Sequence, residues 1–302
     1  MQADAQSDIW SDWLLHRRHA GDATFDRHIQ DQVERYADKV LDGALLAPGM
    51  TLVDVGAGEG LIALRAIDRI GPSLRVILTD ISGPMLHHTE ATARARGVAE
   101  QCRFIQGSAE QLAGIEDGEA DVVAMRAVLA YVPDKTAALK ECHRVLKPGG
   151  RLSIAEPVFQ DEALMARALR QIVDNAPAGA ADRLMTLLHR WKSAQFPDTE
   201  AAIAATPIAN YAERDLLRFV NEAGFFDIHL ELHIDVFHSP NTSWEVFLGT
   251  SPHPLAPSLG SIMHAQFSEE ERQFFEHLMR PTVEAGKSVV TDRVVYLTAR
   301  KA

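Results

Sequence analysis

The chain has 302 residues, 46% of them hydrophobic, which is enough to bury one large core or a core and a smaller satellite domain. Its 30 basic and 42 acidic residues give a net charge of −12, which argues against a nucleic-acid partner. The sequence has two cysteines, no basic and apolar leader, and no apolar run near the roughly 18 residues of a membrane span. These features predict a cytoplasmic protein without a disulfide scaffold, a metal site or a membrane span.

The first 46 residues have a helical pattern. Trp10, Trp13 and Leu14 share one apolar face, and the chain breaks at Ala20-Gly21-Asp22 before a second amphipathic stretch. We therefore predict an N-terminal helical segment over residues 1–46.

From residue 47 onward, short apolar runs alternate with amphipathic stretches. The predicted strands are 51–55, 75–79, 102–106, 121–125, 151–155, 226–236 and 293–300. Alternation of this kind favours crossover connections, which place parallel strands in one sheet between two layers of helices. The predicted fold class is α/β, with a doubly wound, seven-stranded, mainly parallel sheet.

Two stretches interrupt this rhythm. Residues 161–206 are helical in pattern without a convincing strand, and residues 237–291 separate the last two strands by far more than a hairpin loop needs. We expect a cofactor-binding core over 47–160, a helical insertion over 161–206 and the rest of the sheet over 207–302. The sequence leaves open whether the added segments form a lid over the sheet edge or the interface of a homodimer.

A glycine-rich loop, Gly56-Ala57-Gly58, follows the first predicted strand directly. Glycine lets the backbone turn tightly there and approach a ligand. Asp80 ends the second strand about twenty residues later, where a carboxylate can accept hydrogen bonds from both hydroxyls of a ribose. The pair of features predicts a nucleoside-containing cofactor.

Two details distinguish between dinucleotides and S-adenosylmethionine. Leu61 stands where dinucleotide sites favour a third glycine. Asp54 places a carboxylate beside the loop, which suits an ammonium group better than a pyrophosphate. S-adenosylmethionine is therefore the predicted cofactor.

Residues 53–60 resemble the first motif of class I S-adenosylmethionine-dependent methyltransferases. Further segments match that family in the same order, namely residues 79–86, 107–110, 121–134 and 146–152. The order is similar to that of small-molecule methyltransferases related to the ubiquinone-pathway enzymes. The resemblance covers about residues 48–157 and the last two strands, and it implies a Rossmann-like methyltransferase fold. The helical pattern of the added segments predicts N-terminal helices and an inserted helical cap on this fold.

The resemblance also implies roles in cofactor binding. Asp80 would hold the ribose, Ile81 would cover the adenine, and Ser108 and Ala109 would meet its amino group and a ring nitrogen. Ser108 stands where many members have aspartate. The full set of expected cofactor contacts is Asp54, Gly56, Ala57, Gly58, Asp80, Ile81, Ser108, Ala109, Arg126 and Tyr36.

Methyl transfer requires alignment of the nucleophile, exclusion of water and, for some acceptors, removal of a proton. Candidate catalytic residues are Arg126 at the end of the fourth strand, Tyr131 in the following loop and His238, whose neutral imidazole can accept a proton. Each has a plainer alternative: a surface ion pair, a packed aromatic ring or a solvated histidine.

Candidate substrate contacts are Trp13, His16, Arg17 and Glu156. The cluster 16–19 could clamp a carboxylate or phosphate through arginine's planar donors, or it could be a solvated helix face. The apolar helices around the sheet predict a small, partly hydrophobic acceptor, with an anionic group as an open possibility.

Two other functions stay in view. A nicotinamide-dependent oxidoreductase would use the same kind of sheet, and a non-catalytic protein could keep the cofactor loop. DNA amino methylation is disfavoured because residues 126–129 read Arg-Ala-Val-Leu in place of the Asn/Asp-Pro-Pro-aromatic motif. Arsenite methylation is disfavoured because it needs more thiols than two cysteines supply.

Overall fold

The computed structural model describes residues 7–18, 20, 22–177 and 182–302. Seven strands in these ranges form one sheet. They are β1 (Thr51–Val55), β2 (Arg75–Asp80), β3 (Cys102–Gln106), β4 (Ala120–Arg126), β5 (Leu146–Pro157), β6 (Phe226–His238) and β7 (Val289–Arg300). Their order is β3-β2-β1-β4-β5-β7-β6, in which only β7 runs antiparallel to its neighbours. The predicted doubly wound, seven-stranded and mainly parallel sheet is confirmed.

Helices cover both faces of the sheet. They are α1 (Ile9–Asp12), continued by a π-helical turn (Trp13–Arg17), α2 (Ala23–Ala44), α3 (Leu61–Ile70), α4 (Gly83–Ala95), α5 (Lys135–Val145), α6 (Gln160–Asp174), α7 (Arg183–Gln195), α8 (Glu200–Ala205), α9 (Glu213–Glu222), α10 (Trp244–Gly249), α11 (Leu259–Gln266) and α12 (Glu269–Glu284). None of the helices in these ranges is both long and apolar enough to cross a membrane.

The central strands β1, β2 and β4 are largely apolar because both faces of the sheet are buried there. Successive residues of a strand point to opposite faces. Leu52 thus joins a core with α2 and α3, while its neighbour Val53 joins a second core with α5 and α9. These two layers hold the ends of β1, β2 and β4 rigidly at one edge of the sheet, where the glycine-rich loop lies.

A third, smaller core lies in the added segments. Residues of α7, α10, α11 and α12 pack around Trp244 and Phe275, both of which are buried. The predicted helical insertion therefore packs, through α7, with the second insertion of the chain.

The boundaries of the second insertion differ from the prediction. Strands β6 and β7 stay paired as far as His238 and Val289, so both extend into the predicted insertion 237–291. The extension contains polar residues such as Thr291 and Asp292, so an apolar pattern does not predict it. Backbone pairing, rather than burial, forms this part of the strands.

The central strands predict a clear stability effect. Leu152 of β5 is fully buried in the core with α5 and α9. We expect Leu152→Ala to lower the free energy of unfolding by about 2–5 kcal/mol, since the change leaves a cavity in a packed core. Urea unfolding followed by circular dichroism measures it. Leu217→Ala on the outer side of α9 is the control, with 38% of the side chain exposed, and an equal loss in both variants would contradict the packing described.

Candidate active site

The glycine-rich loop turns through left-handed backbone conformations. Gly56 and Gly58 have φ angles of +66° and +52°, which residues with a β-carbon rarely adopt. A β-carbon on Gly56 would collide with the side chain of Val128, in the loop that follows β4. Glycine is therefore needed both for the turn and for the close packing of the two loops.

Asp80 fastens this loop to the end of β2. One carboxylate oxygen, Oδ2, accepts a hydrogen bond of 2.8 Å from the backbone N–H of Gly58, and Oδ1 accepts one of 2.8 Å from Ser82. The side chain is 9% exposed, and burial raises the pKa of its carboxyl group. Because it also lines a cavity, the carboxylate can accept further hydrogen bonds from a bound molecule.

The cavity occupies about 410 Å³ at the carboxyl ends of β1, β2 and β4. Its lining includes nine of the residues predicted for the site, namely Gly56, Gly58, Asp80, Ile81, Ser108, Ala109, Arg126, Tyr131 and Trp13. In doubly wound sheets this edge is the usual location of ligands. The structure thus brings most of the predicted cofactor residues, and Arg126 and Tyr131 of the predicted catalytic residues, to one cavity.

Two guanidinium groups lie near the glycine-rich loop. Arg18 donates hydrogen bonds of 3.3 and 3.2 Å to Oε1 of Glu59, and its buried Nε has no partner among the described residues. Arg126 lines the same cavity and interacts with Glu59 at longer range, with no hydrogen bond to the described part of the protein. Arg126 also interacts at longer range with Asp54 and Glu156, but its guanidinium keeps its hydrogen-bond donors free for an anionic group of a ligand.

Aromatic side chains form another wall of the cavity. Trp10 packs edge-to-face against Tyr131 with ring centroids 5.0 Å apart. Trp13 donates a hydrogen bond of 3.1 Å from Nε1 to Ser251, in the second insertion, and Pro254 of that insertion also lines the cavity. The N-terminal helix and the second insertion therefore close over the sheet edge together.

A family model described as a methyltransferase domain matches residues 46–224, more than half of the chain. The chain belongs to this methyltransferase domain family. The resemblance to class I methyltransferases is thereby confirmed, and S-adenosylmethionine is the cofactor of the matched domain.

Curated relatives agree with this assignment. The chain is 38% identical over 109 residues to the ubiquinone/menaquinone biosynthesis C-methyltransferase UbiE of Brucella anthropi, covering 36% of this chain and 41% of that protein. It is 29% identical over 157 residues to UbiE of Shewanella frigidimarina, covering 52% and 62%. In both cases less than two thirds of the relative is matched.

Solved structures show the same fold. The YcgJ protein of Bacillus subtilis superimposes with a TM-score of 0.53 over 88% of this chain and 98% of its own, at 15% sequence identity. At that identity the likeness concerns the architecture alone.

Glu156 does not face the cavity of the methyltransferase domain, contrary to its predicted role as a substrate contact. Its side chain is fully buried and accepts backbone N–H hydrogen bonds of 2.9 Å from Val128 and 3.2 Å from Ala130. The carboxylate turns inward because these donors begin a 3₁₀ turn (Leu129–Tyr131) that has no other acceptor for them. Glu156 therefore holds the loop that carries Tyr131.

Three predicted cofactor contacts also lie behind the cavity wall. Asp54 is buried and accepts a 3.1 Å hydrogen bond from the N–H of Ala63 at the start of α3. Ala57 donates its N–H to Thr79 at 2.9 Å, and Tyr36 donates its hydroxyl to Asp292 on β7. All three groups form hydrogen bonds within the protein, so they support the cavity wall from behind.

The remaining predicted residues lie away from the cavity lining. His16 is exposed, and Arg17 donates to the carbonyl of Ala256 at 3.3 Å, which ties the N-terminal helix to the second insertion. His238 is exposed at the end of the outermost strand. His19 lies outside the described residues.

Other lining residues were not predicted as site residues. In the sequence, Arg18 is part of a basic cluster and Trp10 is part of an apolar face. Both stand close to predicted contacts, but neither is predicted as a site residue by itself. Glu59 lies within the glycine motif itself. Pro254 has no signal in the sequence, because only the folding of the second insertion brings it to the cavity. Among the described residues, no group of three or more potential ligands could hold a metal ion.

The buried carboxyl of Glu156 predicts a pH dependence. Burial raises its pKa to about 7, from an ordinary value near 4.5. A carboxyl whose pKa is raised by folding stabilises the folded state below pH 4.5, and that stabilisation is lost as the pH rises through 7. Between pH 5 and pH 7.5, ionisation of Glu156 should lower the free energy of unfolding of the cofactor-free protein by roughly 1–3 kcal/mol. We expect this loss to be absent in Glu156→Gln.

Urea unfolding at a series of pH values measures this difference. Glu270→Gln, at a side chain that is 82% exposed, is the matched control and keeps the original pH profile. Parallel profiles for Glu156→Gln and the unsubstituted protein would show that Glu156 titrates normally.

Proposed function

We propose that the chain transfers a methyl group from S-adenosylmethionine to a small, partly hydrophobic acceptor bound in the cavity. The observation that supports this most strongly is that one cavity joins a glycine-rich loop and Asp80 to a wall formed by Trp10, Trp13 and Tyr131. The first group suits an adenosyl amino acid, and the second suits an apolar molecule beside it.

Five residues would hold the cofactor. Asp80 has lone pairs left for the ribose hydroxyls, and Ile81 and Ser108 border the space beyond it, where the adenine would lie. Arg126 and Arg18 would bind the carboxylate of the amino-acid end, near the glycine-rich loop. When bound, the cofactor supplies a methyl group on a positively charged sulfur.

The residues of the chain would align the acceptor and exclude water. The aromatic rings of Trp10 and Tyr131 present apolar surface, and displacement at the methyl group depends mainly on alignment. Burial raises the pKa of the Tyr131 hydroxyl, so this group stays protonated near neutral pH and orients an acceptor as a hydrogen-bond donor. It does not serve as a general base.

The ionisable groups of the cavity narrow the acceptor. No histidine lines the cavity in the described part of the chain, and the carboxylates that line it already accept hydrogen bonds from the protein: Glu59 from Arg18, Asp80 from Gly58 and Ser82, and Glu110 from Asp134. An acceptor atom that is already nucleophilic, such as an ionised oxygen, sulfur or acidic carbon, fits better than a neutral alcohol. We therefore favour a metabolite with an anionic group. The net charge of −12 supports a small molecule over nucleic acid, and a cytoplasmic location stays a sequence-based prediction.

Methyl transfer can be tested without a known acceptor. The protein is incubated with S-adenosylmethionine carrying a tritiated methyl group and a bacterial metabolite extract, and label is counted in small molecules, protein and nucleic acid. We expect label in organic-extractable small molecules, and at least a tenfold lower rate with Asp80→Ala. Asp68→Ala, which removes an exposed carboxylate from α3, is the control. Cofactor binding without labelled product in any extract would favour a non-catalytic role, and binding of NAD in its place would favour an oxidoreductase.

Arg126→Gln tests the amino-acid end of the cofactor site. We expect the affinity for S-adenosylhomocysteine to fall roughly 10- to 100-fold, the scale of a lost hydrogen bond to a charged group. The affinity for 5′-methylthioadenosine, which lacks the amino acid, should change less than twofold. Isothermal titration measures both. Unchanged binding of S-adenosylhomocysteine would show that Arg126 does not hold the cofactor's carboxylate and is free for an anionic acceptor.

A further inference from the structure

Strand β6 forms an outer edge of the sheet and lacks the usual protection of an edge. No described residue pairs with the side of β6 that faces away from β7. Edge strands are normally interrupted by lysine, proline or a bulge, because their free N–H and C=O groups can bind another strand. Residues 226–238 contain neither lysine nor proline, and the one bulge lies at the start, between Phe226 and His229. The edge from His229 to His238 is therefore open.

One face of this edge is apolar and exposed. Leu232, Ile234 and Val236 of β6 are 38%, 54% and 66% exposed. Val289, paired with His238 on the same face, is 63% exposed. A contiguous row of exposed aliphatic side chains is typical of an interaction surface.

The other face of the edge carries alternating histidine and acidic side chains. His229, Glu231, His233 and Asp235 follow one another at every second position. Glu231 accepts from Nε2 of His233 at 2.9 Å and pairs with Lys39 of α2 at 2.9 Å. The edge thus combines an apolar row with a row of acids and histidines.

This pattern is complementary to itself. In an antiparallel pair of β6 strands with a twofold axis at Leu232, Glu231 lies opposite the partner's His233. In the same pair, His229 lies opposite the partner's Asp235. On the apolar face, Leu232 meets its own copy, and the flanking aliphatic residues meet one another.

Neighbouring registers are poorer. With the axis at His233, Glu231 would lie opposite the partner's Asp235, and with the axis at Glu231 this carboxylate would lie opposite its own copy. Like charges placed directly opposite each other destabilise a sheet. A shift by one residue would therefore cost the electrostatic complementarity, which favours the axis at Leu232.

We propose that two copies of this chain associate edge to edge through β6, with the twofold axis at Leu232, and join their sheets into one. The interface is isologous, as in most homodimers. Strand β6 supplies no residue to the cavity, so both cavities stay accessible in the dimer and the inference does not depend on the identity of the acceptor.

Cross-linking tests the register. At the axis, the α-carbons of Leu232 and its copy would be about 4.5–5.5 Å apart, within the range of a disulfide. We expect Leu232→Cys to form a covalent dimer on mild oxidation, seen on a non-reducing gel. Val236→Cys is the matched control on the same strand, since its copy would lie roughly 26 Å away along the partner strand. The unsubstituted protein, with half-buried Cys102 and buried Cys142, gives the background.

Light scattering with size-exclusion chromatography tests the interface itself. We expect a dimer for the unsubstituted chain at tens of micromolar and a monomer for Ile234→Lys, with affinity for S-adenosylhomocysteine unchanged within twofold. The exposure of Ile234 means that this substitution does not disturb the core. A monomeric unsubstituted chain, a dimer that survives Ile234→Lys, or cross-linking of Val236→Cys as readily as Leu232→Cys would each overturn the proposal.

Discussion

The site depends on the carboxylate of Asp80, which binds two backbone N–H groups from different segments. Gly58 belongs to the loop after β1, and Ser82 begins the turn into α4. A carboxylate that accepts two such hydrogen bonds fixes the relative position of the two strand ends. The same group still borders the cavity, so under the proposed function the side chain that builds the loop would also provide the polar contact for a ribose. In that proposal, structure and cofactor binding share one side chain.

A second buried carboxylate fixes the loop that forms the opposite wall of the cavity. Glu156 binds the N–H groups of Val128 and Ala130, and Val128 in turn packs on Gly56. Desolvation of a carboxylate is costly, and its elevated pKa records that cost. The buried carboxylate lies where a loop must be held in one position, because displacement at a methyl group tolerates little misalignment.

Much of the fold follows from local patterns in the sequence. Apolar runs identified every strand, and the position of Asp80 at a strand end, just beyond the glycine-rich loop, predicted its place in the cavity. The direction of individual side chains was less predictable. Glu156 was correctly placed at the sheet edge, yet the competition for unpaired N–H groups turned it inward. Contacts such as Pro254 arise from the path of a long insertion, which no local pattern encodes.

A crystal structure with S-adenosylhomocysteine tests the account most directly. The account predicts the ribose hydroxyls within hydrogen-bonding distance of Asp80, the homocysteine over the glycine-rich loop beside Arg126, and the sulfur facing Tyr131. A ligand bound elsewhere, or bound with its ribose away from Asp80, would contradict the proposed site and leave only the family and the sheet architecture in place.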